Sequence, residues 1–235
     1  LQNNSFCLWQ QEMVALQPEA SDGFRTEFLV RLKEGDDIVL PGAFIPAAER
    51  FNLMTRIDRK VIELAFEYLN RTGLGHESTG TFFINLSGSS FNEPELFLYI
   101  SQLAERYKLI PERICFEITE TSAIANLSAT QSFINSAKSR GFKFALDDFG
   151  AGMSSFSYLK ALPVDYLKID GGFVRNLLDD PIDLSIVDAC NRIGHSAGLK
   201  TVAEFVENDE VKAHLVELGL DYAQGYGIAK PRPLE

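Results

Sequence analysis

The feature that most constrains this chain is a repeated grammar: a short apolar run that stops at a polar residue, a helical stretch, then another run. The runs are Phe82-Phe83-Ile84-Asn85, Ile114-Cys115-Phe116-Glu117, Phe142 to Asp147, Tyr166-Leu167-Lys168-Ile169 and Thr201-Val202-Ala203-Glu204. They are too short for helices and largely continuous in hydrophobicity, as strands buried on both faces should be. Between them, Arg56 to Leu69 places Ile57, Val61, Ile62, Leu64, Ala65, Tyr68 and Leu69 close to one helical face. Segments 95–107, 129–139, 182–197 and 209–218 read the same way, several of them ended by Gly141, Gly198 or Gly219. The stretch from Gly73 to Gly80 reads as the softest loop.

Spacing turns this pattern into an architecture. Asn85 and Glu117 are 32 residues apart, Glu117 and Asp147 30, and Lys168 and Glu204 36. One strand plus one crossover helix takes roughly 30 residues. Strands alternating with helices imply a mostly parallel sheet. Seven or eight such units fill 235 residues, so a closed (β/α)8 barrel is expected. The glycine pattern of a dinucleotide-binding doubly wound sheet is missing.

The polar stops then acquire a meaning. Asn85, Glu117, Asp147, Lys168 and Glu204 each fall at the C-terminal end of an expected strand, which in a barrel is the catalytic rim. Any one of the acids could cap a helix. Several carboxylates buried together cost too much without cations between them. The three histidines and three cysteines form no HxxxH or CxxC pair, so the ligands of a metal here must be mostly oxygen. Oxygen ligands select a hard cation such as magnesium or manganese. Cys7, Cys115 and Cys190 are odd in number and widely spaced, which fits free thiols in a reducing cytosol.

Charge and hydropathy remove other classes. A net charge of −11 argues against docking on duplex nucleic acid. No apolar run approaches the roughly 18 residues of a membrane span, so no membrane contact is expected of this domain. The chain lacks an initiator Met, and residues 1–235 are expected to be one domain cut from a longer signalling protein.

Seven segments in order resemble the EAL family of cyclic-di-GMP phosphodiesterases. They are Glu27-Phe28-Leu29-Val30-Arg31, Asn85-Leu86-Ser87, Glu117-Ile118-Thr119-Glu120, Asp147-Asp148-Phe149-Gly150-Ala151-Gly152-Met153-Ser154-Ser155, Lys168-Ile169-Asp170, Ala203-Glu204-Phe205-Val206-Glu207 and Gln224-Gly225-Tyr226. The resemblance implies a TIM-barrel variant whose first strand is antiparallel to the rest. It implies metal-dependent hydrolysis of cyclic-di-GMP to linear pGpG through water activated by two magnesium or manganese ions. Glu27, Asn85, Glu117 and Asp147 would hold the first metal, with Asp147 bridging to a second that Asp148 also holds. Lys168 and Glu204 would flank the attacking water, Glu204 as metal ligand or general base. Gln11 and Arg31 would contact the dinucleotide, Glu207 and Gln224 would orient the site, and Glu120 would anchor the loop from Asp148 to Ser155. Family partners add a homodimer and upstream sensor or GGDEF-type domains.

The chain departs from the family at Phe28 for Ala, Met153 for Tyr, Glu12 for Pro and Phe205 for Gly. Glycine at the last position permits a backbone conformation that Phe resists. Two alternatives to an active enzyme therefore stay open: a catalytically weak or inactive cyclic-di-GMP receptor acting through conformational or partner changes, and a two-metal barrel acting on another phosphoester.

Overall fold

The computed structural model describes residues 6–21, 23–77, 79–152 and 156–234. Residues 1–5 and three motif residues, Met153, Ser154 and Ser155, lie outside the described residues.

Eight strands form the ring. They are β1 (Phe6–Ala15), β2 (Arg25–Glu34), β4 (Thr81–Asn85), β5 (Ile114–Thr119), β6 (Lys143–Phe149), β7 (Tyr166–Ile169), β8 (Lys200–Ala203) and β9 (Tyr222–Gln224). Short β3 (Asp37–Val39) extends β2, and β10 (Arg232–Pro233) extends β1. Strands β2, β4, β5, β6, β7, β8 and β9 pair in parallel, in sequence order. Strand β1 closes the ring by pairing antiparallel to both β2 and β9. The barrel and its reversed first strand are both as expected.

Helices wrap the ring: α1 (Pro41–Arg50), α2 (Met54–Thr72), α3 (Leu74–Glu77), α4 (Pro94–Arg106) and α5 (Glu120–Ala125) in the first half. The second half carries α6 (Leu127–Lys138), α7 (Gly171–Asn176), α8 (Pro181–Ser196) and α9 (Asp209–Glu217). Helix α3 forms one turn inside the stretch expected to be loop. Helices α5, α6, α7, α8 and α9 begin at Thr119, Asn126, Asp170, Asp180 and Asn208, whose side chains accept from backbone N–H groups of the first turn. Such caps satisfy donors that a helix start leaves unpaired. Gly141, Gly198 and Gly219 adopt positive φ (98°, 77° and 78°) just past helix ends, the left-handed exit glycine supplies.

Two apolar layers follow from the period of two along each strand. Outward residues such as Phe82, Ile84, Phe116, Phe144, Leu167 and Ile169 meet the buried helix faces in one continuous core. Inward residues Met13, Phe83, Cys115, Ala145, Tyr166, Val202 and Tyr222 form a second, smaller cluster that plugs the barrel. Arg25 is buried in the same plug, its Cζ 4.0 Å from the Tyr222 ring centroid.

Candidate active site

One step further along each strand, the next inward position is polar. Phe83 is followed by Asn85, Cys115 by Glu117, Ala145 by Asp147, Tyr166 by Lys168, Val202 by Glu204 and Tyr222 by Gln224. On β2 the same step runs from Arg25 to Glu27. Because β1 runs the other way, its polar residue, Gln11, precedes Met13. Register sets Gln11 opposite Glu27 and Asn85 opposite Glu117 on one level, while Met13 opposite Gln224 and Glu117 opposite Ala145 show the two-residue stagger of a closed barrel. The plug thus forms a dry floor under a ring of carboxyl, amide and ammonium groups.

Lys168 is at the centre of that ring and is fully buried. Its Nζ lies 2.9 Å from Glu117 Oε1, 2.9 Å from Glu204 Oε1, 3.1 Å from Asp147 Oδ1 and 3.7 Å from Glu27 Oε2. Glu27 Oε1 accepts from Asn85 Nδ2 at 2.6 Å, and its Oε2 from Gln224 Nε2 at 2.7 Å. Burial opposes both ionised partners. For Lys168 the surrounding carboxylates outweigh it and hold the ammonium well above its ordinary range. For Glu27 the Lys168 charge and the two amide donors outweigh it and lower the pKa. For Glu117 burial wins, helped by the Glu27 charge, and its pKa rises well above the usual carboxylate range. Glu204 is lifted to about 8 by burial and the charge of Asp147, against Lys168. Asp148 is lifted to about 6 by burial and the same Asp147 charge.

Adjacent residues on a regular strand point to opposite faces, yet Asp147 and Asp148 both reach the site. A register shift against β7 between Leu146 and Phe149 supplies the reason. This bulge puts Asp148 at φ 54°, in the left-handed region. Oxygens of Asp147, Asp148 and Glu204 then lie within 4.8 Å of one another. Bulges re-aim side chains in this way.

The donor set fits divalent cations. Five carboxyl groups (Glu27, Glu117, Asp147, Asp148 and Glu204) surround one ammonium, and every candidate ligand offers oxygen. Both oxygens of Glu117 and Oδ1 of Asp147 are buried without a hydrogen bond, although Glu117 Oε1 and Asp147 Oδ1 lie within ion-pair distance of Lys168. Buried orphan oxygens of this kind call for a cation.

The cleft above measures about 260 Å³ and is lined by Gln11, Leu29, Asp148, Glu204, Phe205 and Tyr226, among others. A roomier hollow, about 480 Å³, lies between Phe156 and α8, and no carboxylate lines it. Arg31 and Glu207 stand outside the cleft lining. Arg31 is buried, with Nη1 on Val30 O at 2.8 Å and Nε free of partners. Glu207 is exposed, its Oε1 3.3 Å from Arg175 Nε. Glu120 is buried and accepts from Gly150 N at 3.0 Å and from the Tyr158 hydroxyl at 2.5 Å. Its bonds bracket the segment that carries the second half of the Asp147–Ser155 motif. Phe205 occupies φ 52°, the backbone that glycine would adopt freely. A left-handed residue with a Cβ costs roughly 1–2 kcal/mol.

Sequence reasoning missed Asp58. It is buried on α2 and accepts from Ser87 N (2.9 Å), Ser87 Oγ (2.6 Å) and Ser90 Oγ (2.5 Å), pinning the turn after Asn85. The available signal was an acid set between Ile57 and Val61 on an apolar helix face.

Comparison with known proteins agrees with this geometry. The family model described as EAL domain matches residues 1–231. The chain is 41% identical over 236 residues to the cyclic di-GMP phosphodiesterase PdeB of Shewanella oneidensis, covering all of this chain and 27% of that protein. It is 35% identical to the cyclic di-GMP phosphodiesterase PdeF of Escherichia coli, covering all of this chain and 31% of that protein. The chain therefore spans roughly a third or less of the length of these relatives. Among solved structures, the phosphodiesterase PaMucR in complex with c-di-GMP superposes with a TM-score of 0.89 at 31% identity, over 97% of this chain and 92% of that one. The EAL domain of FimX from Pseudomonas aeruginosa, bound to c-di-GMP, gives 0.89 at 28% identity over 97% and 91%.

Proposed function

The chain belongs to the EAL domain family, and on that premise we propose that it hydrolyses one phosphodiester bond of cyclic-di-GMP, giving linear pGpG. The observation that carries this reading is the ring itself: every residue matching a family ligand position is present. Glu27, Asn85, Glu117, Asp147, Asp148, Lys168 and Glu204 converge at one end of one barrel.

Glu27, Asn85, Glu117 and Asp147 would hold one magnesium or manganese ion, and Asp147 with Asp148 a second. Bound there, such ions lower the pKa of water and stabilise attacking and leaving oxygens of an in-line displacement. The protein does the rest. Lys168 is ill suited as a base, since the carboxylates around it favour its charged form; it would orient the water and holds Glu204 by charge, its Nζ 2.9 Å from Oε1. Glu204, at the cleft wall, takes the water proton on its carboxylate. Gln11 and Gln224, linked by a 3.4 Å hydrogen bond, fix the wall across which the dinucleotide lies. Arg31 offers a forked donor suited to phosphate. The Phe83–Tyr166–Tyr222 floor keeps bulk water from the underside of the ring.

The test is incubation of cyclic-di-GMP with the protein in magnesium, manganese or excess EDTA, with products separated by chromatography. We expect pGpG with either metal and none with EDTA. Asp147→Ala, which unlinks both ion positions, should lower turnover by about 100-fold or more with the fold intact by circular dichroism. Turnover unaffected by chelation would overturn the metal assignment. Tight binding without any product would leave a receptor.

A further inference from the structure

Among the described residues of the cleft, Phe205 alone breaks a backbone preference without supplying a ligand. The residue is 49% exposed and its φ is 52°. The ring rests on the first residue of α7: a Cβ added to Gly171 would lie 1.9 Å from Phe205 Cδ2. One helical turn later, Arg175 places its Cζ 4.2 Å from the centroid of that ring. Residues four apart share a helix face, so Gly171 and Arg175 together present a seat. Arg175 Nε also reaches Glu207 Oε1 at 3.3 Å, gripping the chain two residues further on. Between these points Val206 is tied by its N–H to Gln224 O (2.9 Å) and by its carbonyl to Gly227 N (2.8 Å). The residue before Phe205 is Glu204, whose own N–H donates to Ile169 O at 3.3 Å.

We propose that Arg175 is a positioning residue: with Gly171 beneath it, it clasps the Phe205 ring and thereby fixes the left-handed turn that aims Glu204 at Lys168. The seat does with side chains what a glycine does with backbone freedom. A guanidinium is suited to it, being planar, permanently charged and able to stack on an aromatic face while bonding a carboxylate. Without the clasp, Phe205 relaxes toward negative φ and rotates the peptide that follows Glu204. Small displacements of a reacting group cost large factors in rate.

The kinetic readout rests on the phosphodiesterase reading, so the experiment carries a second readout that does not. Kinetics are measured for a cycle of Arg175→Ala and Phe205→Gly, with Arg175→Lys and Gly171→Ala alongside. We expect Arg175→Ala to lower kcat about five-fold with KM nearly unchanged, and Arg175→Lys to recover only a minor part of the loss, since an ammonium keeps the charge without the planar stack. Gly171→Ala, which displaces the ring, should behave like Arg175→Ala. In the Phe205→Gly background neither change should matter, because glycine needs no seat. Thermal unfolding of the metal-free protein repeats the cycle without catalysis: Arg175→Ala should lower Tm by about 2 °C beside Phe205 and not beside glycine. Equal effects in both backgrounds, or wild-type kcat and Tm for Arg175→Ala, would overturn the clasp. A wild type that forms no pGpG while the Tm cycle shows coupling would sink the phosphodiesterase reading and leave the clasp standing.

Discussion

Glu120 touches no proposed metal, yet it is buried and joins the Gly150 N–H to the Tyr158 hydroxyl. Replacing it with alanine strands both donors, which should cost about 1–3 kcal/mol of stability. It also loosens the end of β6 that carries Asp148. Loop position and cation occupancy are then linked, since a ligand that binds one loop state draws the population toward it. Glu120→Ala should therefore shift the curve of turnover against magnesium to higher concentration, and the deficit should shrink at saturation. Superimposable curves would mean that Glu120 is structural only. At this scale the sequence was legible where a polar residue ended an apolar run, as at Asn85, Glu117, Asp147, Lys168 and Glu204. Glu27 and Gln11 sit inside strands with no such stop, and only the family resemblance singled them out. Asp58, Tyr158 and Arg175 were not legible, because each matters through a partner distant in the chain.

Among the elements, β6 departs furthest from a regular pattern. Its bulge brings two neighbouring acids to one site and leaves Asp148 in a left-handed conformation. Backbone fit and ligand chemistry can be separated there. Asp148→Gly and Asp148→Val should both lose most turnover, since each removes the carboxylate. Only the valine should lose stability, by roughly 1–2 kcal/mol, because a β-branched residue resists positive φ. Comparable melting temperatures for the two variants would show that the bulge is not strained. The helices were more legible than the bulge. Apolar spacing and glycine exits placed α4, α6, α8 and α9 within two residues of each observed end, whereas α2 (Met54–Thr72) outruns the expected 56–69 and the short α7 was not expected at all. A bulge leaves no such trace, since it exists only in the register between β6 and β7.

For the molecule as a whole, acid stability has an identifiable seat at the end of the barrel away from the cleft. Asp221, buried just before β9, accepts from Lys200 Nζ (2.7 Å), His195 Nε2 (2.9 Å) and Thr201 N (2.9 Å). Burial would raise its pKa, but these donors outweigh burial and lower it. A depressed carboxylate stabilises the fold above its unfolded pKa, about 3.9, and that contribution is lost as pH falls further. Asp221→Asn should therefore unfold more easily than wild type at neutral pH, with the difference narrowing below about pH 4; equal acid slopes in chemical denaturation would refute the assignment. The reversed strand has a consequence of another kind. Gln11 is level with Glu27, and Phe6 lies opposite Leu32, so β1 descends into the ring from the cleft side. β10 runs beside it, pairing Trp9 with Pro233, and Leu234 N bonds Leu8 O at 3.1 Å. The two described chain ends, Phe6 and Leu234, thereby lie close together next to the mouth. A torque applied there has five residues of strand to travel before it reaches Gln11, and one cross-strand pair more to reach Glu27. The barrel is built like a key whose handle and teeth share one end.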